Sequence, residues 1–86
     1  MKISELVIAM IHEIPVEYDG SRYRYINSII FGKGDTGKPK LSVALMDLNR
    51  NSVVIVPLKK VKLLKELPKY TSKQYGELIN DFEKAS

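Results

Sequence analysis

The chain has no cysteine, no tryptophan and only one histidine. Without cysteine there can be no disulfide framework, so packing alone must stabilise the fold. A metal site would have to combine His12 with nearby carboxylates, and we expect neither a structural metal nor a cofactor. The longest uninterrupted apolar run, residues 6–11, is far shorter than the roughly 20 residues that cross a bilayer. We therefore expect a cytoplasmic protein without a membrane partner.

The totals are those of one small folded domain covering residues 1–86. Of the 86 residues, 44% are hydrophobic and 28% are charged, which argues against a wholly disordered chain. At this length the buried core must be modest. The formal net charge of +4 is compatible with attraction to nucleic acid or to an acidic protein surface.

The centre of the chain predicts a β-hairpin. Leu41, Val43 and Leu45 alternate with smaller residues, as in a strand with one buried face. The β-branched run Val53–Val56 suits a second strand that is largely buried. The polar segment 47–52 between them contains two asparagines, which tolerate the left-handed backbone angles of turns.

Proline and glycine mark the ends of these strands. Pro57 has no amide hydrogen, so the strand should end there in one tight turn, followed by a short last strand, Val61–Leu63. Gly32–Pro39 contains three glycines and no apolar residue, which predicts a flexible, exposed loop, more prone to disorder than any other segment of the chain.

Asp19-Gly20 predicts a tight first hairpin, because this dipeptide favours a two-residue turn. Pro15 would lie near the start of an edge strand, where its missing donor costs little. The second strand should continue through Phe31. Its apolar positions change parity between Tyr25 and Ile26, which indicates a bulge or bend that lets one long strand serve two sheets.

The N-terminal segment, residues 3–12, predicts a helix from about Glu5 to His12. Ser4 could cap it, and Ile3 and Ile8 could form a hydrophobic staple around that cap. Its apolar stripe could bind a partner, but we expect it to cover one open end of the sheet core.

The C-terminal segment, residues 71–85, predicts a second helix from about Ser72 to Lys84. Thr71 and Gln74 have the spacing of a capping box. The apolar residues that follow at helical spacing could pack on the same chain or on a second copy, and they form a candidate protein interface and homodimer contact. They are Tyr75, Leu78, Ile79 and Phe82.

The run Val54–Leu63 resembles the strand, single helical turn and final strand that close small SH3-like barrels, a class that includes SH3, Tudor-like and KOW-type modules. The resemblance covers residues 14–64 and implies a mainly β fold: a five-stranded barrel with a helix at each end. Signalling SH3 domains have a long acidic loop where this chain has Asp19-Gly20, and their proline-peptide groove uses tryptophan. Recognition of proline-rich ligands is therefore not implied. The chain also resembles small uncharacterised bacterial or phage-encoded proteins.

Gly32–Lys38 matches the first seven positions of a phosphate-binding P-loop, but the eighth is Pro39. The motif requires Ser or Thr there for magnesium, and a helix whose N-terminal amides hold phosphate. We therefore interpret this segment as a hairpin connection. No nucleophile, base and orienting group can be assembled around His12, so we expect no enzymatic activity.

The basic residues are the strongest functional pattern. In a continuous strand Arg22 and Arg24 would share one face, with Tyr23 and Tyr25 on the other. The arginines could contact phosphates and an exposed tyrosine could stack on a base, or this could be a solvated face opposite a tyrosine-containing core. Six lysines lie between positions 59 and 73, with Glu66 the only acid among them. The candidate binding residues are Arg22, Arg24, Lys59, Lys60, Lys62 and Lys65.

These patterns predict a non-catalytic binding module. Nucleic acid is the first candidate partner because of the lysines and arginines. An acidic protein surface is an alternative partner for the same basic residues. The competing interpretation is a protein-interaction or assembly module of phage or mobile-element origin that uses the C-terminal helix. Whether the basic residues form one patch depends on the tertiary structure.

Overall fold

The computed structural model describes the backbone of residues 2–85 and the side chains of these residues except 72, 75 and 82–85. A helix lies at each end, with six strands between them. The elements are α1 (Ile3–Ile11), β1 (Val16–Tyr18), β2 (Ser21–Tyr23), β3 (Tyr25–Lys33), β4 (Pro39–Met46), β5 (Val53–Pro57), a single helical turn (Leu58–Lys60), β6 (Lys62–Leu63) and α2 (Ser72–Ala85).

The strands form two small antiparallel sheets. Sheet A has the order β2-β1-β6 and sheet B the order β3-β4-β5. The mainly β class with a helix at each end is confirmed. Within residues 2–85, however, no strand pairing joins the sheets into a closed barrel, and there are six strands instead of five.

The extra strand arises where the predicted long strand bends. The chain leaves sheet A after Tyr23, turns at Arg24 and enters sheet B at Tyr25. A bulge follows, because the register with β4 shifts between Ile26 and Ser28. The predicted irregularity is therefore confirmed: the bend at Arg24 divides the strand between the two sheets, and the bulge lies just beyond it, within β3.

The first hairpin has the predicted turn. Tyr18 pairs with Ser21, and between them Asp19 and Gly20 both have positive φ, 51° and 78°. Two successive left-handed residues match the right-handed twist of the flanking strands. The prediction that Pro15 begins an edge strand is wrong: β1 is the central strand of sheet A, and Pro15 precedes it.

The N-terminal helix begins earlier than predicted. Lys2 is its N-cap, and the Lys2 backbone N–H donates to the Glu5 carboxylate at 3.2 Å. Ser4 therefore lies inside the first turn and is not the cap, and the staple prediction is wrong because Ile3 is already helical. The helix ends at Ile11, one residue before the predicted end.

The core lies between α1 and the two sheets. Its fully buried side chains come from α1, from β1 and from the paired strands β3 and β4. Val61 is buried and Leu63 packs against the core. The completely enclosed hydrophobic residues are Leu6, Ala9, Val16, Ile26, Val43 and Leu45.

The prediction of a largely buried Val53–Val56 is wrong. Only Val56 is buried, whereas Val53, Val54 and Ile55 are 43%, 40% and 63% exposed. The register gives the reason: Val54 and Val56 lie on the core face of sheet B, whereas Val53 and Ile55 lie on the opposite face. In addition, β5 is an edge strand, so fewer neighbours cover it than cover the central β4. The end of this strand at Pro57 and the helical turn after it are confirmed.

The C-terminal helix begins with the predicted capping box. The Gln74 N–H donates to the Thr71 hydroxyl at 3.2 Å, and the Thr71 N–H donates to the Gln74 side-chain oxygen at 2.9 Å. Two of the N–H groups that a helix start leaves unpaired are satisfied in this way. Among the described residues, no helix is long and apolar enough to span a membrane.

Candidate functional site

The bend at Arg24 gathers four consecutive residues around one hollow. The Arg24 backbone N–H donates to the Met46 carbonyl at 2.9 Å, and its guanidinium donates to the Leu48 carbonyl at 3.3 Å. These bonds hold the bend against the end of β4. Exposure still alternates along this segment: Arg22 and Arg24 are exposed, whereas Tyr23 and Tyr25 are half-buried. Tyr23 also packs against the core, which agrees with the predicted alternative of a solvated face opposite a tyrosine-containing core. All four residues of the segment 22–25 contribute to the lining of one hollow.

This hollow, called the arginine hollow below, has a volume of about 530 Å³. It lies where the end of α1, the bend, the β4–β5 turn and the end of β6 meet. Tyr23 and Tyr25 are half-buried, and Tyr23 also packs against the core, while Arg22 and Arg24 are exposed. Its lining residues are Glu13, Pro15, Arg22, Tyr23, Arg24, Tyr25, Leu48, Arg50, Leu64 and Lys65.

The charge of the arginine hollow is predominantly positive. Four cationic side chains line it against the single carboxylate of Glu13. Of the six predicted binding residues, Arg22, Arg24 and Lys65 are brought together here. Arg50 is not among the predicted binding residues, because in the sequence it stands alone in a polar turn, apart from the other basic residues.

Arg50 is held by the turn that precedes β5. Its backbone N–H donates to the Asp47 carbonyl at 3.2 Å, and its φ is 59°. The Asp47 carboxylate accepts the Asn51 N–H and the Ser52 hydroxyl, both at 2.9 Å. The bond from the Asn51 backbone lowers the pKa of Asp47 below its usual value, because a hydrogen bond to the charged form favours that form. The expected left-handed residue of this turn is thus Arg50 and neither asparagine.

Glu13 is also left-handed, with φ of 50°. It follows the C-cap of α1: the Glu13 N–H donates to the Met10 carbonyl at 3.2 Å, and the Ile14 N–H to the Ala9 carbonyl at 3.0 Å. This is the Schellman arrangement, in which the left-handed position usually holds glycine. Among residues 2–85, three non-glycine residues have positive φ; two of them line the arginine hollow, and both are charged.

The other three predicted lysines lie elsewhere. Lys59, Lys60 and Lys62 surround a separate hollow of about 320 Å³, which also contains Glu17 and Asp19. In sheet A, Glu17 pairs with Arg22 on one side and with Lys62 on the other, so a carboxylate stands between the two basic groups.

The C-terminal helix contributes to an apolar groove of about 740 Å³ between α1, β3 and α2. Leu78 and Ile79 line it together with Val7 and Phe31. These two predicted interface residues thus lie beside other parts of their own chain, although Ile79 remains 49% exposed. The side chains of the other two, Tyr75 and Phe82, lie outside the described part of the structure.

The remaining sequence motifs have structural roles. The P-loop-like segment is the β3–β4 hairpin: the Gly34 N–H donates to the Lys38 carbonyl at 2.8 Å, and Pro39 begins a strand. The hairpin interpretation is confirmed, with a shorter loop than predicted. His12 is hydrogen bonded to the Tyr70 hydroxyl. Within the described residues, no three His, Asp or Glu side chains are grouped so as to hold a metal ion.

No protein-family model matches the chain, and neither a curated protein nor a solved structure matches it. The resemblance to SH3-like barrels and to phage-encoded proteins therefore stays a prediction.

Proposed function

We propose that the protein is a non-catalytic module that binds single-stranded nucleic acid in the arginine hollow. The observation that supports this most strongly is the convergence of four cations and two tyrosine rings on one concave surface. Proteins that bind single strands combine a positively charged groove for the phosphates with aromatic rings on which bases stack. Lysine and arginine supply affinity without sequence preference, so we expect binding to depend little on sequence.

The backbone of the hollow supports the same function. Glycine or asparagine is the usual choice at a left-handed position, since other residues cost roughly 1–2 kcal/mol there. Arg50 occupies such a position with its side chain lining the hollow. Residues in strained conformations concentrate at functional sites, where the strain is tolerated for the sake of the side chain.

The first test is fluorescence anisotropy with labelled single-stranded DNA, RNA and duplex DNA. For single strands the logarithm of affinity falls with the logarithm of salt by about 0.7 per phosphate contact. If all four cations contact phosphates, affinity should fall about 50-fold between about 50 and about 200 mM salt. Single strands should bind more tightly than the duplex. Absence of binding at low salt would rule the proposal out.

Arg50→Gly separates binding from folding. Glycine favours φ near 59°, so the variant should be at least as stable as the wild type while its affinity and salt slope decrease. Arg22→Ala and Arg24→Ala should also weaken binding. Lys33→Ala is the matched control: Lys33 is exposed on β3, and the substitution removes one positive charge outside the hollow. Equal losses in Lys33→Ala and Arg50→Gly would indicate a general charge effect and no defined site.

Lys62→Ala tests whether the second basic group takes part. If the strand extends from the arginine hollow toward Lys59 and Lys60, this variant should lower affinity and reduce the salt slope by about one contact. If it binds like the wild type, the site is confined to the arginine hollow.

A second candidate function is assembly through α2. It is favoured by the half-exposed Ile79 at the apolar groove. In that case Ile79→Ser should lower the oligomeric mass measured by light scattering without changing nucleic-acid affinity. An unchanged mass would count against self-association through this helix.

A further inference from the structure

Strand β5 leaves one edge of sheet B open. It is the last strand in the order β3-β4-β5, and no other described element pairs with its outer side. Three of its residues, Val53, Val54 and Ile55, are 40–63% exposed. An edge strand of this kind presents a row of unpaired backbone N–H and C=O groups to any extended chain that approaches it.

The register shows which groups are free. The Asp47 N–H donates to the Ser52 carbonyl at 3.1 Å, and bonded pairs alternate along an antiparallel ladder. Val54 and Val56 therefore bond to β4, whereas the backbone groups of Val53 and Ile55 point outward. Pro57 alternates with Val56 in the same way, so its backbone nitrogen also points away from β4 and its missing N–H costs no bond to β4.

The edge lacks the features that usually prevent pairing. Natural edge strands carry lysines, inward-pointing charges or bulges. The stretch from Asn51 to Leu58 contains no charged residue, and the pairing of β5 with β4 is regular. Pro57 limits the edge at one end only. Between Val53 and Pro57 the strand is a β-branched, uncharged surface suited to a partner strand of the same kind.

We propose that two copies of this chain pair edge to edge through β5, antiparallel and with Val54 on the two-fold axis. Val53 then lies opposite Ile55 of the second copy, and each of these residues both donates and accepts. All four outward N–H groups of the two strands are used. The product is a continuous six-stranded sheet with an isologous interface.

Other registers leave groups unpaired. A shift by one residue places outward groups opposite residues that already bond to β4. A shift by two in one direction pairs Val53 with Pro57, which has no N–H to return. The opposite shift pairs Ile55 with Asn51, whose N–H is already donated to the Asp47 carboxylate. The register about Val54 is the one that satisfies every free donor.

Side chains and charges favour the same register. On one face, Val53 packs beside Ile55 of the second copy, twice by symmetry, and on the other the two Val54 side chains meet. Such β-branched cross-strand pairs stabilise sheets. The stretch from Asn51 to Leu58 carries no charged residue, so no like charges face each other across the paired strands. Self-association of this kind is independent of the nucleic-acid function proposed above.

The test is the mass of the protein by sedimentation and light scattering over a concentration series. The wild-type mass should approach twice the 9.8 kDa of one chain as concentration rises. Ile55→Lys places an edge charge on the most exposed residue of the strand and should raise the dimer dissociation constant at least about tenfold. Ile11→Lys is the matched control: Ile11 is 41% exposed at the end of α1 and lines none of the hollows described above, so the same replacement there should leave association unchanged.

Amide hydrogen exchange on the wild type gives a second measurement that needs no variant. The Val53 and Ile55 amides should gain protection as concentration rises, relative to the Val54 amide, which bonds to β4 in either state. A mass of 9.8 kDa at every concentration would overturn the proposal. Association that Ile11→Lys weakens as much as Ile55→Lys does would also overturn it. So would Val53 and Ile55 amides whose exchange is independent of concentration.

Discussion

His12, at the end of α1, is hydrogen bonded to Tyr70, which precedes α2 and lies 58 residues further along the chain. Their rings are 5.7 Å apart at 79°, an edge-to-face contact. The only histidine thus joins the two helical ends of the fold. This relationship gives a structural role to a residue that the sequence left without one.

Tyr70→Phe should lower the free energy of unfolding by about 0.5–1 kcal/mol, because it removes the hydroxyl and keeps the ring. This loss of unfolding free energy should be among the smaller ones measured for hydrogen bonds, since the His12–Tyr70 pair is exposed. Urea denaturation measures the change. Tyr25→Phe is the matched control, because its hydroxyl has no hydrogen bond to any described residue. Equal effects of both substitutions would show that the His12 contact is not stabilising.

Asp47 should make stability depend on pH at the acid end. Hydrogen bonds to its carboxylate lower its pKa in the folded state, so its contribution is complete above the usual carboxyl pKa of about 4. The contribution is lost as pH falls through the lowered value. Asp47→Asn removes the charge and should be less stable than the wild type at pH 7. The difference in unfolding free energy between the two, measured by denaturation between pH 7 and pH 2, should disappear in acid. A constant difference across this range would contradict the prediction.

Substitution of Gly20 should destabilise the fold because of the backbone conformation at this position. No atom lies near its missing side chain, but its φ is 78°. Gly20→Ala should therefore cost about 1–2 kcal/mol of unfolding free energy. Gly32→Ala is the matched control, because that site is equally open without a positive φ, and it should be neutral or stabilising by up to about 1 kcal/mol. Thermal or urea unfolding of both variants would distinguish these outcomes.

Neighbouring residues of β5 should differ sharply when truncated. Val56 is 4% exposed and Ile55 is 63% exposed. Val56→Ala should cost about 1.5–3 kcal/mol, since two buried methyl groups are lost and a cavity remains. Ile55→Ala should cost less than about 1 kcal/mol at concentrations where the chain is monomeric. Similar losses at both positions would mean that the outer side of β5 is covered in solution.

The amino-acid sequence by itself determined the local structure of this protein. Asp19-Gly20 specified its turn, Thr71 and Gln74 specified a helix start, and Pro57 ended a strand, because each acts through bonds and steric limits within a few residues. The parity change after Tyr25 likewise indicated a bend, which the structure places at Arg24. Such signals need no knowledge of distant parts of the chain.

Only the tertiary structure decided which residues are covered and which come together. Val53–Ile55 have the composition of a buried strand, yet they are exposed, because Val53 and Ile55 lie on the face opposite the core and sheet order places the whole of β5 at an edge. Arg50 joins Arg22, Arg24 and Lys65 because a turn, a bend and the end of β6 meet in space. Lys59, Lys60 and Lys62 are separated from them for the same reason: burial and proximity depend on the pairing of distant segments, which local pattern does not encode.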